Sequence, residues 1–93
     1  MTSDDEKRIT VLTVDDHPLL REGIAAVLAY ERDIALVAEA ANGREAVECH
    51  RAHRPDVTLM DLQMPEMKGV EAIIAIRHEF ADARILVVYH VRW

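Results

Sequence analysis

The sequence is poor in the residue types that mark several protein classes. Cys49 is its single cysteine, so the chain can form neither an internal disulfide nor a multi-cysteine zinc site. No apolar run approaches the ~18 residues of a membrane-spanning helix. The start, MTSDDEKR, is acidic and polar, whereas a secretory signal would be basic and then apolar. These absences predict a protein with no membrane span that stays in the cytoplasm.

Basic charge is also scarce. The 93 residues contain 11 Lys and Arg against 17 Asp and Glu, a net charge of −6. Because nucleic-acid binders need clustered Lys and Arg, we expect no direct DNA binding by this chain. The length predicts a single small domain over residues 1–93 with a thin core. A composition of 51% hydrophobic and 30% charged residues is typical of a soluble globular protein.

Short apolar runs alternate with amphipathic segments, and this alternation predicts a β-α-β-α-β-α-β chain. The predicted strands cover residues 8–14, 33–40, 56–60 and 84–89. Helices are predicted over residues 18–30 and 69–79, and a turn followed by a helix over residues 42–54. Helical spacing indicates inward faces made of Leu20, Ile24, Val27 and Leu28, of Ala46, Val47 and His50, and of Val70, Ile73, Ile74 and Ile76. Pro18 suits a first helical turn, and Pro55 stops the second helix.

Right-handed crossovers leave few topologies for such a chain, and we expect a flavodoxin-like three-layer sandwich with a parallel sheet in the order 2-1-3-4. Strands one and three are then neighbours, and their carboxyl ends form the switch point where open α/β sheets bind ligands. Asp15 and Asp16 end strand one, and Asp61 ends strand three. Three carboxylates are therefore predicted to meet in one crevice.

Each of these acids has an ordinary interpretation. Asp15 or Asp16 alone is typical of a helix N-cap, and Asp61 alone of a turn residue before Pro65. Their coincidence favours a functional site, because crowded carboxylates repel each other unless a cation neutralises them. Mg²⁺ prefers carboxylate and carbonyl oxygens and normally accompanies a phosphate. A carboxylate beside Mg²⁺ can attack a phosphoryl group and form an aspartyl phosphate.

The segments VLTVDDHPLLREGIAAVL, PDVTLMDLQMPEMKGVEAI and ARILVV resemble the receiver domain of two-component response regulators of the LuxR-type DNA-binding class. The resemblance extends from Arg8 to Val88. It implies that Asp61 is the phosphoacceptor and that a sensor histidine kinase is the donor. For Mg²⁺ it implies Asp16 as a direct ligand, Asp15 as a ligand through water, and Gln63 as a ligand through its backbone carbonyl. It implies a signalling module rather than an enzyme.

The end of the sequence departs from that family. The family has Ser or Thr where this chain has Tyr89, and a Lys at the end of a fifth strand. We expect a receiver that is truncated after the fourth strand and lacks the fifth strand, the last helices and an output domain. We expect its signalling to be impaired. The tail YHVRW fits a truncated or altered reading frame as well as a trimmed receiver. The exposed edge of strand four then predicts a homodimer.

Parts of the sequence also fit two other function classes. A haloacid dehalogenase type of enzyme also phosphorylates a strand-end Asp, but it needs a second acid at position 63, which is Gln63. An interaction or decoy protein would keep the receiver surfaces without its switch. Among single residues, Lys68 is expected to be a solvated loop residue and His17 a helix-start residue rather than a metal ligand. A last group shows no ligand spacing and is expected at the surface: His50, His53, His78 and His90. His50 therefore carries two opposed expectations.

Overall fold

The computed structural model describes residues 8–64 and 67–88, which form a four-stranded parallel sheet with three helices. The strands are β1 (Ile9–Val14), β2 (Ile34–Ala40), β3 (Val57–Asp61) and β4 (Ile85–Val88), and the helices are α1 (Pro18–Ala29), α2 (Gly43–His53) and α3 (Gly69–Glu79). The sheet order is β2-β1-β3-β4. The predicted flavodoxin-like order is confirmed, and every predicted element is present with bounds that agree within one residue over the described ranges. None of the helices in the described ranges is both long and apolar enough to cross a bilayer.

The direction of the crossovers places the helices. The connection from β1 to β2 runs one way along the sheet, and the two later connections run the other way. Since such crossovers are right-handed, α1 lies on one face of the sheet and α2 and α3 lie on the other. Accordingly α2 contacts α3, and α1 contacts β2 and β1.

Local sequence explains where α2 begins and ends. The Asn42 side chain accepts a hydrogen bond from the Glu45 backbone N–H at 2.9 Å, and Glu45 Oε1 accepts one from the Ala41 N–H at 2.9 Å. These bonds satisfy backbone donors that a helix start leaves open. At the other end Arg54 adopts a left-handed conformation with φ 45°, and Pro55 follows, so the helix cannot continue.

The hydrophobic core lies between the sheet and the α2–α3 layer. Its buried members include Leu12 and Val14 of β1, Met60 of β3, and Ala46 and Val47 of α2. The inward positions expected for Ala46 and Val47 are confirmed.

His50 belongs to the same buried layer. It is 4% exposed, so its inward position is confirmed and the expectation of a surface histidine is wrong. Its ring packs on the Phe80 ring, with the two centroids 4.7 Å apart. Helical spacing therefore predicted the burial of His50 better than the polarity of its side chain did.

In two helices, some residues of the predicted inward face are exposed. In α1, Leu20, Ile24 and Leu28 are half-buried, but Val27 is 65% exposed. The expectation for Val27 is wrong because it precedes Leu28 by one residue and so lies about 100° around the helix from it.

In α3, Ala72 and Ile76 are buried and Ile73 is half-buried, whereas Val70 and Ile74 are 53% and 64% exposed. The inward placement of Val70 and Ile74 is wrong. The close contact of Gly69 with the end of β3 explains this orientation, because a side chain at that position would collide with the Asp61 carbonyl and Leu62, so the residues on the same side of α3, Ala72 and Ile76, face inward.

Candidate functional site

Asp15 directly follows β1 and is held at the switch point from several directions. Its backbone N–H donates to the Ala40 carbonyl at 3.0 Å, which extends the ladder between β1 and β2 by one residue. The residue is 2% exposed, and its Oδ1 accepts a hydrogen bond from the His17 backbone N–H at 2.7 Å. The carboxylate is therefore oriented by the turn that starts α1.

Asp61 is the last residue of β3 and lies opposite Val88 in β4. It is 1% exposed, and its Oδ1 accepts the Gln63 backbone N–H at 3.0 Å. Gly69 packs directly on this strand end, since a Cβ atom there would lie against the Asp61 carbonyl oxygen and 2.6 Å from Leu62 Cα. The start of α3 thus fixes the backbone that carries Asp61.

Asp16 and His17 complete the cluster. His17 Nδ1 lies 2.8 Å from Asp15 Oδ1, 3.0 Å from Asp16 Oδ1 and 4.0 Å from Asp61 Oδ2. One ligand atom from each of the four residues falls within 4.8 Å of the others. The predicted convergence of Asp15, Asp16 and Asp61 is confirmed. His17 is the N-cap position of α1, as expected of a helix-start residue, and it also contacts the acids.

Arg21 supports the site in a way that the motifs did not reveal. Its guanidinium donates to the Asp15 backbone carbonyl at 2.9 Å and lies 3.8 Å from the Glu39 carboxylate on β2. It ties α1 to the ends of β1 and β2. One signal was available: Arg21 lies four residues after His17 and so on the same side of α1.

Gln63 and Lys68 both follow Asp61 in sequence, before α3 begins. Both side chains are exposed, which confirms the interpretation of Lys68 as a solvated residue. The Lys68 backbone N–H, at the N-cap of α3, donates to Glu71 Oε1 at 3.4 Å. Tyr89 and His90 lie outside the described residues.

The donor set suits a divalent cation. Asp15 and Asp61 are almost fully buried, so their mutual repulsion is little screened by water. Three carboxylates carry more negative charge than one imidazole could offset, and hard oxygens are the ligands that Mg²⁺ prefers. The folded chain already places the carboxylate oxygens of Asp15, Asp16 and Asp61 within 4.8 Å of one another, where a cation could bind.

Known proteins with this pattern are numerous. The family profile described as "Response regulator receiver domain" matches residues 11–90. The transcriptional regulatory protein DegU of Brevibacillus brevis is 40% identical over 89% of this chain and 35% of its own length. The nitrate/nitrite response regulator protein NarL of Escherichia coli K12 is 40% identical over 84% of this chain and 36% of its own length.

A solved structure of a LuxR-family two-component response regulator from Aurantimonas superposes with a TM-score of 0.82 at 40% identity, over 86% of this chain and 57% of that one. The chain thus spans about a third of the length of the curated relatives that it matches.

Proposed function

Because the chain belongs to the response regulator receiver domain family, we propose that Asp61 is its phosphoacceptor and that Asp15, Asp16 and Asp61 hold the Mg²⁺ that this reaction uses. The resemblance to LuxR-type regulators is confirmed by the relatives. One observation carries the proposal: a strand-end Asp, 1% exposed, shares a cluster within 4.8 Å with two further carboxylates.

The chemistry assigned to Asp61 is nucleophilic. A carboxylate oxygen of Asp61 forms a bond to phosphorus while the bond from phosphorus to the donor nitrogen breaks, and the electron pair leaves with the histidine imidazole of a sensor kinase. The Gln63 N–H fixes the orientation of the carboxylate through Oδ1. The chain acts as a phosphoacceptor in this step rather than as an enzyme that turns over a substrate.

When bound, Mg²⁺ would neutralise charge on the transferring phosphoryl group. The residues assigned to hold it are Asp16 directly, Asp15 through water, Asp61, and Gln63 through its carbonyl. Arg21 contributes by fixing the Asp15 backbone, since it donates to that carbonyl at 2.9 Å. These roles are proposals, as is the histidine-kinase donor.

Magnesium should stabilise the folded chain, because the folded state gathers the carboxylates and the unfolded state does not. Above the dissociation constant, each tenfold rise in Mg²⁺ should add about 1.4 kcal/mol to the free energy of unfolding. Asp16→Asn should remove this gain, and without metal it should be at least as stable as the parent, since one repulsion is relieved. Denaturant unfolding with and without Mg²⁺ measures both quantities. An undiminished gain in the variant would contradict the assignment of Asp16.

We further propose that the 93-residue chain forms a homodimer through β4. This strand lies at one end of the described sheet, and its Leu86 and Val87 are 60% and 50% exposed. A strand in that position offers a row of backbone donors and acceptors beside apolar side chains, which favours pairing with a second copy.

The dimer is tested by sedimentation velocity across micromolar concentrations. Leu86→Lys should shift the chain towards monomer, because it places a charge on each copy of the paired strand. Leu19→Lys is the matched control, since Leu19 is 82% exposed on α1, away from β4. A parent chain that remains monomeric, or a dimer disrupted by the control alone, would refute pairing through β4.

Three expectations from the sequence stay predictions. The cytoplasmic location is one, and the single-domain organisation over residues 1–93 is another. Impaired signalling is the third, because it rests on Tyr89, which lies outside the described residues, and on the expected lack of the family's fifth strand and its Lys. For the curated relatives, whose names describe response and transcriptional regulators, the complete proteins are about three times as long as the matched region.

A further inference from the structure

A cavity of about 370 Å³ lies at the end of the sheet opposite to the acid cluster. It is lined by residues from the carboxyl ends of α2 and α3 and from the segments that lead into β3 and β4. Because the strands are parallel, these segments lie at their amino ends, whereas Asp15 and Asp61 lie at their carboxyl ends. Cavities of about 300–1,000 Å³ are typical of small-molecule sites. The cavity is therefore separate from the phosphoacceptor site and large enough for a ligand.

One wall of the cavity contains a buried polar group without a partner. His50 lines the cavity although it is only 4% exposed. Its Nδ1 is buried and makes no hydrogen bond within the part of the chain that the structure describes. Since the large majority of buried polar side-chain atoms have a hydrogen-bond partner, an unpaired one indicates a partner still to be bound.

Two guanidinium groups also line the cavity, those of Arg54 and Arg84. Within residues 8–64 and 67–88, neither forms a side-chain hydrogen bond or a salt bridge. The Arg54 guanidinium lies over the Phe80 ring, 4.9 Å from its centroid. A guanidinium held against a ring can still donate from its N–H edge to a carboxylate or phosphate, which it matches in shape.

The backbone of Arg54 is unusual for an arginine. Among the described residues it is the one non-glycine residue with a positive φ, 45°. Glycine is the usual residue at this helix-end position because it has no Cβ atom. Such strained residues concentrate at ligand-binding sites, where the side chain is needed. At this position glycine would leave the Phe80 ring without its cation.

Two carboxylates balance the charge of the guanidinium groups. Asp56 is engaged with β1, since its Oδ2 accepts the Thr10 backbone N–H at 2.8 Å and the Thr10 hydroxyl at 3.1 Å. Asp82, in the connection from α3 to β4, makes no side-chain hydrogen bond or salt bridge within the described ranges. The cavity thus offers open positive and negative groups together, which suits a ligand of both charges better than a polyanion.

From this arrangement we propose that the cavity binds a small organic molecule that carries a carboxylate or phosphate group together with an amino group. Arg54 and Arg84 bind the anionic group through charge-assisted hydrogen bonds. Asp82 accepts from the amino group, and the His50 imidazole gains a hydrogen-bond partner. The proposal goes beyond the phosphoacceptor function, because none of these residues belongs to the acid cluster.

The first test is an NMR titration of the ¹⁵N-labelled chain without Mg²⁺, at constant ionic strength. The probes are β-alanine, which joins a carboxylate to an amino group, and O-phosphoethanolamine, which joins a phosphate to one. At least one should cause saturable shifts of the Ala83 and Arg84 amides. Tighter binding of β-alanine would identify a carboxylate ligand, and tighter binding of O-phosphoethanolamine a phosphate ester. Propionate and ethyl phosphate, which lack the amino group, should bind about threefold more weakly or worse than their amino counterparts.

The second test repeats the titration on variants with changes at exposed positions. Arg84→Gln should lower the affinity for the tighter probe by about tenfold or more. Asp82→Asn should remove the preference for the amino-bearing probe. Arg44→Gln is the matched control, because it removes the same charge at an exposed position at the start of α2, and it should bind as the parent.

Three results would overturn the proposal. They are shifts that sodium chloride reproduces at the same ionic strength, undiminished binding in Arg84→Gln, and an equal loss in Arg44→Gln. Mg²⁺ binding should be the same in Arg84→Gln as in the parent, so failure at this cavity leaves the phosphoacceptor site standing.

Discussion

At the scale of single residues, His50 shows what burial does to a titratable group. Burial lowers the pKa of its imidazole, the nearby Arg54 guanidinium lowers it further, and Glu79 opposes the shift. Within the described residues its Nδ1 makes no hydrogen bond, and Arg54 also lies over the Phe80 ring, 4.9 Å from the centroid. Folding therefore favours the neutral form of this imidazole.

This shift predicts acid sensitivity. Because the folded pKa lies below the unfolded value near 6.5, the unfolded chain binds the proton more readily. The stability that the neutral His50 contributes is fully present above the unfolded pKa and is lost as the pH falls through it towards the folded pKa. Urea unfolding at neutral and mildly acidic pH should show a smaller loss of stability in His50→Leu than in the parent. His53→Gln, which changes an exposed histidine of α2, should behave as the parent. Equal losses in all three would contradict the account.

At the scale of elements, Gly69 and Gly23 differ in how closely other atoms approach them. Gly69 begins α3 against the carbonyl of Asp61 and 2.6 Å from Leu62 Cα, measured from the position a Cβ would occupy. Gly23, within α1, would place a Cβ with no atom inside 4 Å. The two positions therefore predict opposite effects of the same substitution.

Gly69→Ala should destabilise the chain by about 1–3 kcal/mol, because backbone atoms of β3 must move to make room. Gly23→Ala should stabilise it by about 0.5–1 kcal/mol, through helix propensity and a restricted unfolded chain. Chemical denaturation of the two variants beside the parent decides the matter. A neutral Gly69→Ala variant would show that α3 can retreat from Asp61 without loss.

The helices and strands were largely predictable, because apolar periodicity and the Pro and Asn residues at helix ends are local signals. The predicted bounds of α3, Gly69–Glu79, match those of the structure. The face that a helix buries was less predictable, as Val70 and Ile74 show. Both are apolar and exposed, because the close contact of Gly69 with Asp61 and Leu62 fixes the side of α3 that faces inward, and apolar periodicity does not specify that contact.

At the scale of the whole molecule, topology made the site predictable before any distance was known. Asp15 and Asp61 are 46 positions apart in sequence, yet the order β2-β1-β3-β4 makes their strands neighbours. The contacts of His17 and Arg21 could not be predicted in the same way. They depend on side-chain directions at the start of α1, which no periodicity specifies.

The central claim is that Asp61 is the nucleophile, and labelling by acetyl phosphate with Mg²⁺, read by intact mass, tests it most directly. We expect one phosphoryl group on the parent chain, none on Asp61→Asn, and much less on Asp16→Asn. Labelling should be slow, because Lys68 is solvent-exposed and is not expected to replace the family's Lys beside the phosphoryl group. The loss of one such electrostatic contact typically lowers the rate by about 10²–10³. Undiminished labelling of Asp61→Asn, or a parent chain that binds Mg²⁺ but never gains the group, would contradict the account.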